Sequence, residues 1–158
     1  MRDISYSTND YIFNYRPAGI LVHENKVLLQ KPNNSEEYAF PGGQVAFGET
    51  NAATLIREFQ EEIGADIEVR ELKWVWENIY PWDGKICNQI CLFFMVNLKN
   101  ITQIPLDGSF CGKEYDSNDD KAIWFYWVPF GEVKNITVYP PNAAELLLCI
   151  KEGVKHFY

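Results

Sequence analysis

Pro41 to Ala65 reads PGGQVAFGETNAATLIREFQEEIGA, and the fold turns on how this stretch is parsed. Pro41-Gly42-Gly43 is a turn where positive backbone angles and close approach of a ligand are both affordable. From Thr50 to Ile63 the spacing predicts a helix, with Thr50 as N-cap and Gly64 where a left-handed C-terminal cap belongs. At about 100° per residue, with Glu58 at zero, Glu62 falls near 40° and Glu61 near 300°. Leu55, Phe59, Ala52, Ile63 and Ile56 fall between about 60° and 160°. One edge of the helix is therefore acidic and the other packs.

Three carboxylates on one edge repel, each contact near 4 Å costing up to about 4 kcal/mol at an intermediate dielectric. Something positive belongs among them. Taken alone, Glu-x-x-Glu-Glu is an ordinary solvated face, and Arg57 an i,i+4 partner for Glu61. The glycine turn changes that reading, because one short loop, which also holds Glu49, separates it from the helix. Its carbonyl oxygens can face the same acidic edge, and such hard oxygen donors suit Mg²⁺ or Mn²⁺.

Gly43-x5-Glu49-x7-Arg57-Glu58-Phe59-x-Glu61-Glu62-x-Gly64-Ala65 resembles the signature of the Nudix hydrolases, the MutT-like family. All the polar and glycine positions match across residues 43–65; Phe59 and Ala65 replace the usual Ile, Leu or Val and keep apolar character. The flanks agree: Gly19-Ile20-Leu21-Val22 and Lys26-Val27-Leu28-Leu29-Gln30 precede the motif, and Trp127-Val128-Pro129-Phe130 follows it. The resemblance implies an α/β/α sandwich with a mixed sheet, and hydrolysis of a diphosphate linkage in a nucleoside diphosphate joined to another group, by water attack at phosphorus. It implies that Glu58, Glu61, Glu62 and the Gly42 carbonyl hold Mg²⁺ or Mn²⁺, that Arg57 orients the carboxylates, and that Glu49 assists. Glu58 is the leading general base, with an acid outside the motif as the alternative. Glu114, Asp116, Asp119 and Asp120 are candidates for that acid or for an extra metal ligand. Such a division suits phosphoryl transfer, which needs neutralised charge and positioning more than covalent chemistry. Two other readings stay open: a non-catalytic nucleotide-sensing domain, and an enzyme like isopentenyl-diphosphate isomerase.

The rest of the chain fits one domain over 1–158. Its 158 residues are 47% hydrophobic, enough for a core, and no linker or repeat divides them. A net charge of −8 argues against gripping a nucleic acid polymer, which needs clustered cations. No targeting or membrane-spanning stretch is read, so the expected location is cytoplasmic. Cys87, Cys91, Cys111 and Cys149 lack zinc spacing and read as free thiols, mostly in the core. Expected partners are a small nucleotide-type molecule and, compatibly, a second copy in a homodimer.

After a polar N-terminal arm, strands are expected at Pro17–Val22 and Lys26–Gln30 around a hairpin at His23-Glu24-Asn25, then at Ile67–Tyr80, Lys85–Leu98 and Ala122–Val128. Pro105–Asp120 reads as a long loop, and a second helix is expected after Asn142, capped with Glu145 and ending near Gly153. Trp74, Trp76, Tyr80 and Trp82 share one strand face and read as core packing before a base-stacking platform. Arg16, at the start of the first core strand, is placed to reach a phosphate or a base edge but reads first as a solvated strand-edge arginine, and His23 and His156 read as unpartnered.

Overall fold

A computed structural model describes residues 2–113 and 116–158. The chain runs β1 (Ser5–Ser7), β2 (Tyr11–His23), β3 (Lys26–Pro32), β4 (Glu37–Ala39), α1 (Asn51–Glu58) with a π-helical continuation (Phe59–Ile63), β5 (Ile67–Trp82) and β6 (Lys85–Leu98). It continues as β7 (Ser109–Cys111), β8 (Ile123–Pro129), a 3-10 segment (Phe130–Asn135), β9 (Thr137–Tyr139), α2 (Ala143–Leu148) and β10 (Lys155–Phe157).

The long β2 organises the sheet. Tyr11 to Leu21 pair in parallel with Ile86 to Val96 of β6, which pairs antiparallel with β5. At its far end β2 turns through Glu24 and Asn25, both with positive φ (46° and 60°), into β3. That pair of left-handed residues gives the twist a two-residue hairpin needs. Asp83 and Gly84 (φ 50° and 73°) do the same between β5 and β6. β3 pairs antiparallel with β8 along its whole length.

Alternation along the strands feeds two cores. Ala18, Ile20, Val27 and Leu29 face one side with Phe40, Trp74, Trp76, Phe93 and the apolar face of α2. Leu21 and Leu28 face the other with Leu55, Phe59, Ile63 and Phe125. Because successive strand residues point to opposite faces, this places helices on both sides of a mixed sheet, the expected α/β/α sandwich. Gly19 is needed where α1 crosses β2, since a Cβ there would lie 2.7 Å from the Phe59 ring. Among the described residues no helix is long and apolar enough to cross a membrane.

Several elements depart from the sequence reading. The supposed polar arm is strand: β1 and the start of β2 pair with each other, and backbone ladders there tolerate polar side chains because both are open to solvent. The 105–120 loop contains β7, which pairs with β8. The C-terminal helix is only six residues, and the Asn142 side chain makes no cap bond, so the capping box with Glu145 does not form. A helix that short holds by burying Ala143, Leu146 and Leu147 rather than by its own propensity. Beyond it β10 adds in parallel to β5, pairing that depends on distant residues no local pattern reveals. None of the four cysteines is in a disulfide, and only Cys87 and Cys91 are buried; Cys111 is half-buried and Cys149 exposed.

Candidate active site

The helix begins as expected. Thr50 accepts the Ala53 N–H at 3.2 Å, a cap contributing about 1 kcal/mol. The α-helical turn stops at Glu58, and from Phe59 to Ile63 it widens to π, closed by Gly64 at φ 77° with both Gly64 and Ala65 donating to the Phe59 carbonyl. The 100° arithmetic therefore fails past Glu58. The wider turn rephases Glu61 and Glu62 relative to Glu58, and single π turns of this kind are frequent at functional sites.

Arg57 is the positive group that the acidic edge required. Its Nε and Nη2 donate to Glu49 Oε1 and Oε2 at 2.9 and 3.1 Å, a two-pronged contact. Nη1 donates to Glu58 Oε1 at 2.7 Å and to Glu61 Oε2 at 3.1 Å. Nη2 also reaches the Gln44 carbonyl at 3.4 Å, tying the helix to the glycine turn. Glu49 takes two further donors, the Thr54 hydroxyl at 2.9 Å and the Ala46 N–H at 3.3 Å. The Arg57 hydrogen bonds foremost, with Thr54 and Ala46 adding to them against the opposing pull of burial, hold Glu49 down from 4.5 to about 2. Arg57 is in turn lifted above its ordinary value, chiefly by Glu49. Thr54, fully buried, is a site residue the sequence reading passed over, because a threonine on a packed helix face carries no signal of its own.

Since the folded Glu49 titrates below its unfolded value, its contribution to stability is complete above pH 4.5 and is lost as the pH falls toward 2. Melting curves of the native chain and Glu49→Gln are expected to lie a constant interval apart near neutrality and to converge between pH 4.5 and 2. A constant interval throughout that range overturns the linkage.

The glycine turn meets the helix at Glu58. A Cβ on Gly43 would collide with both oxygens of the Glu58 carboxylate, so that carboxylate sits in the space a side chain would fill. Gly42 is pinned differently: at φ 155°, a Cβ there would run into the Pro17 carbonyl and stand 2.8 Å from Ala18 Cα. Its carbonyl accepts from Arg16 Nη2 at 3.0 Å, so Arg16 is part of the site rather than solvated. The Glu62 carbonyl accepts the Lys113 N–H at 2.7 Å, which fastens the 105–120 loop to the motif by backbone. Of that loop's acids, Asp116 and Asp119 accept hydrogen bonds within their own turn, from Asn118 and Lys121, and Asp120 is exposed. Glu114 lies outside the described residues.

The carboxylates therefore gather on Arg57, and among the described residues no three acidic, histidine or cysteine side chains form a ready metal cage. The donor chemistry nonetheless fits a divalent cation. One guanidinium faces Glu49, Glu58 and Glu61, which leaves the edge net negative, and the oxygens are hard. Glu61, with its side chain 48% exposed, is accessible to an incoming ion.

The aromatic quartet divides. Trp74 and Trp76 are core, as expected, whereas Tyr80 and Trp82 line a cavity of about 260 Å³ beside the turn, with Asn14, Arg16, Gly42, Gly43, Gln44 and Gln89. Asn14 and Arg16 come from β2 and Gln89 from β6, brought together by the parallel register Asn14 with Gln89 and Arg16 with Cys91. His156 is not unpartnered: its ring Nε2 lies 2.7 Å from Glu77 Oε1.

The NUDIX domain profile matches residues 14–148. The chain is 34% identical over 139 residues to an RNA pyrophosphohydrolase of a Nitratiruptor species, covering 73% of this chain and 84% of that protein. Its fold is similar to the MutT protein from Bacillus halodurans (TM-score 0.59, 18% identity, 91% of this chain and 90% of that one). It is also similar to a UDP-X diphosphatase (TM-score 0.64, 15% identity, 96% and 68%). With the signature residues gathered on one helix edge and its glycine turn, the chain belongs to the NUDIX family and is a Nudix hydrolase.

Proposed function

We propose that the protein, acting as one unit over residues 1–158, is a Mg²⁺- or Mn²⁺-dependent cytoplasmic pyrophosphohydrolase that cleaves the diphosphate of a small nucleotide by water attack at phosphorus. The observation that carries this is the Arg57 hub, which holds Glu49, Glu58 and Glu61 on the face of the glycine turn. Glu58, Glu61, Glu62 and the Gly42 carbonyl are the groups that would hold the cation. When bound, it supplies charge neutralisation for the phosphates and a more acidic water.

Glu58 then takes the proton of the attacking water, and its position against Gly43 keeps one oxygen toward Arg57 and the carboxylate beside the turn. Glu49 does not work on substrate directly in this reading. Its four hydrogen bonds make it the anchor that fixes Arg57, and Arg57 fixes the other two acids. A small nucleotide is favoured over a polymer because the chain carries a net charge of −8. A homodimer is compatible with this chemistry and is not required by it.

Phosphate release is the test, measured across nucleoside triphosphates, nucleotide sugars, ADP-ribose, dinucleoside polyphosphates and a 5′-triphosphorylated RNA oligonucleotide. Turnover of a small nucleotide with Mg²⁺ or Mn²⁺, abolished by EDTA and restored by adding the ion back, is expected. Tight binding with no release would favour a sensor, and turnover confined to the RNA would overturn the small-substrate reading. Isomerised product without hydrolysis would point to the isomerase-like alternative.

A further inference from the structure

The Gly42-Gly43-Gln44 turn separates two chemically different compartments. On one side stands the acidic edge of the helix, joined to the turn through Arg57 and the Gln44 carbonyl. On the other lies the cavity of about 260 Å³, where Arg16 grips the Gly42 carbonyl. Arg16 is the one charged residue among the described residues lining this cavity. Its other polar groups are the amides of Asn14, Gln44 and Gln89 and the phenol of Tyr80, and Trp82 stands at the rim with 63% of its surface exposed.

Those amides are weakly engaged. Gln44 Nε2 reaches Asn14 Oδ1 at 3.5 Å, Gln89 Nε2 reaches Tyr80 Oη at 3.5 Å, and Asn14 Nδ2 contacts Cys87 Sγ at 3.4 Å. The two N–H···O contacts are long and a thiol sulfur is a weak acceptor, so all three exchange readily for a ligand's donors and acceptors. Burial pushes the Tyr80 phenol up to about 12, so it is held in its neutral form. The volume falls just below the roughly 300–1,000 Å³ of pockets that enclose a whole drug-sized ligand, so the cavity suits one planar moiety and not a complete dinucleotide.

The geometry points to this cavity as the nucleobase subsite, with Trp82 as the stacking surface and Arg16 selecting a base that presents a ring carbonyl as acceptor. It rests on the hydrolytic reading only for where the diphosphate goes: over the turn, toward Glu58. An arginine fork pairs with adjacent acceptors such as O6 and N7 of guanine, whereas adenine sets an amino donor beside its N7. Uracil also offers a ring carbonyl, so guanine and uracil share the favoured chemistry and adenine lacks it. An aromatic face at the rim contributes stacking to every base alike. Trp82 therefore sets affinity, and Arg16 sets choice.

The test has two arms. In the first, kcat/KM is compared for guanosine, uridine and adenosine forms of one substrate type. Guanosine or uridine is expected to exceed adenosine by about tenfold, within the discrimination a well-made arginine–base contact gives. Arg16→Met is expected to collapse that ratio toward one. Equal loss for all three bases would mean that Arg16 holds phosphate, and preference for adenosine would mean that the cavity takes something else; either overturns the proposal.

The second arm reads binding without chemistry, by calorimetry of GMP, UMP and AMP on Glu62→Gln protein with Mg²⁺ present. The same order of affinities is expected, and Trp82→Ala, at an exposed position outside both cores, weakens all three together. Retained binding order, with the native chain hydrolysing none of the substrates, would sink the hydrolytic reading and leave the subsite standing. Equal affinities, with hydrolysis by the native chain intact, would do the reverse.

Discussion

Glu58→Gln is expected to reduce Mg²⁺-supported kcat by about 10²–10⁴-fold, the range that a positioned general base contributes, while the melting temperature moves little. The variant keeps the shape and an oxygen for the 2.7 Å bond from Arg57 Nη1, so the hub survives while the basic oxygen and its charge are lost. Glu62→Gln is expected to fall as far through the loss of a cation-holding carboxylate alone, with the base retained. Raising the Mg²⁺ concentration separates the two: it restores more of the Glu62→Gln activity than of the Glu58→Gln activity, because Glu58→Gln loses the base together with a cation-holding carboxylate. Turnover by Glu58→Gln within about threefold of the native chain would remove Glu58 from the role of base and transfer it to an acid outside the motif.

Gly43→Ala is expected to cost about 10²-fold in kcat with a stability loss below about 1 kcal/mol. The added methyl meets first the far end of the Glu58 side chain, which can swing off its bond to Arg57 without disturbing the backbone. Misplacing a catalytic group by about an ångström is enough for a loss of that order. Gly42→Ala provides the contrast, since its methyl meets the backbone of Pro17 and Ala18 in a conformation with φ 155°. That variant should lose stability first and activity as a consequence. Thermal melts beside kcat distinguish the two glycines, and equal melting losses would show that Gly43 serves the fold rather than the carboxylate.

The acidic edge and its partner were legible because they are local. Seven positions at fixed spacings between Gly43 and Gly64 specify a cap, a packed face and the charges opposite it. Repulsion called for a positive group on this edge, the orienting role of Arg57 came from the family resemblance, and the structure places three carboxylates on that arginine. The π turn was not legible, since apolar spacing over one short helix accommodates either phasing. Nor was the cavity: Asn14 and Gln89 are far apart in sequence and become neighbours only through the parallel register of β2 and β6. Long-range parallel pairing is set by how whole faces pack, so neither polar residue announces its neighbour. The choice between a solvated and an engaged Arg16 was open for the same reason, because a strand-edge arginine and one gripping a carbonyl from another segment look identical in sequence.

The strand that carries Asn14 and Arg16 continues, on the same face, into Ala18 and Ile20 of the buried core, and Arg16 also borders the small space shared with Phe40, Trp76 and Cys91. The floor of the cavity is thus the end of the structural interior. Changes made there to admit a new ligand disturb packing at the same stroke, whereas Trp82, beside the tight reversal at Asp83 and Gly84, is bounded by solvent. Diversification within this lineage has an open route at the rim and a closed one at the floor, so new preferences should accumulate around Trp82 long before they reach Arg16.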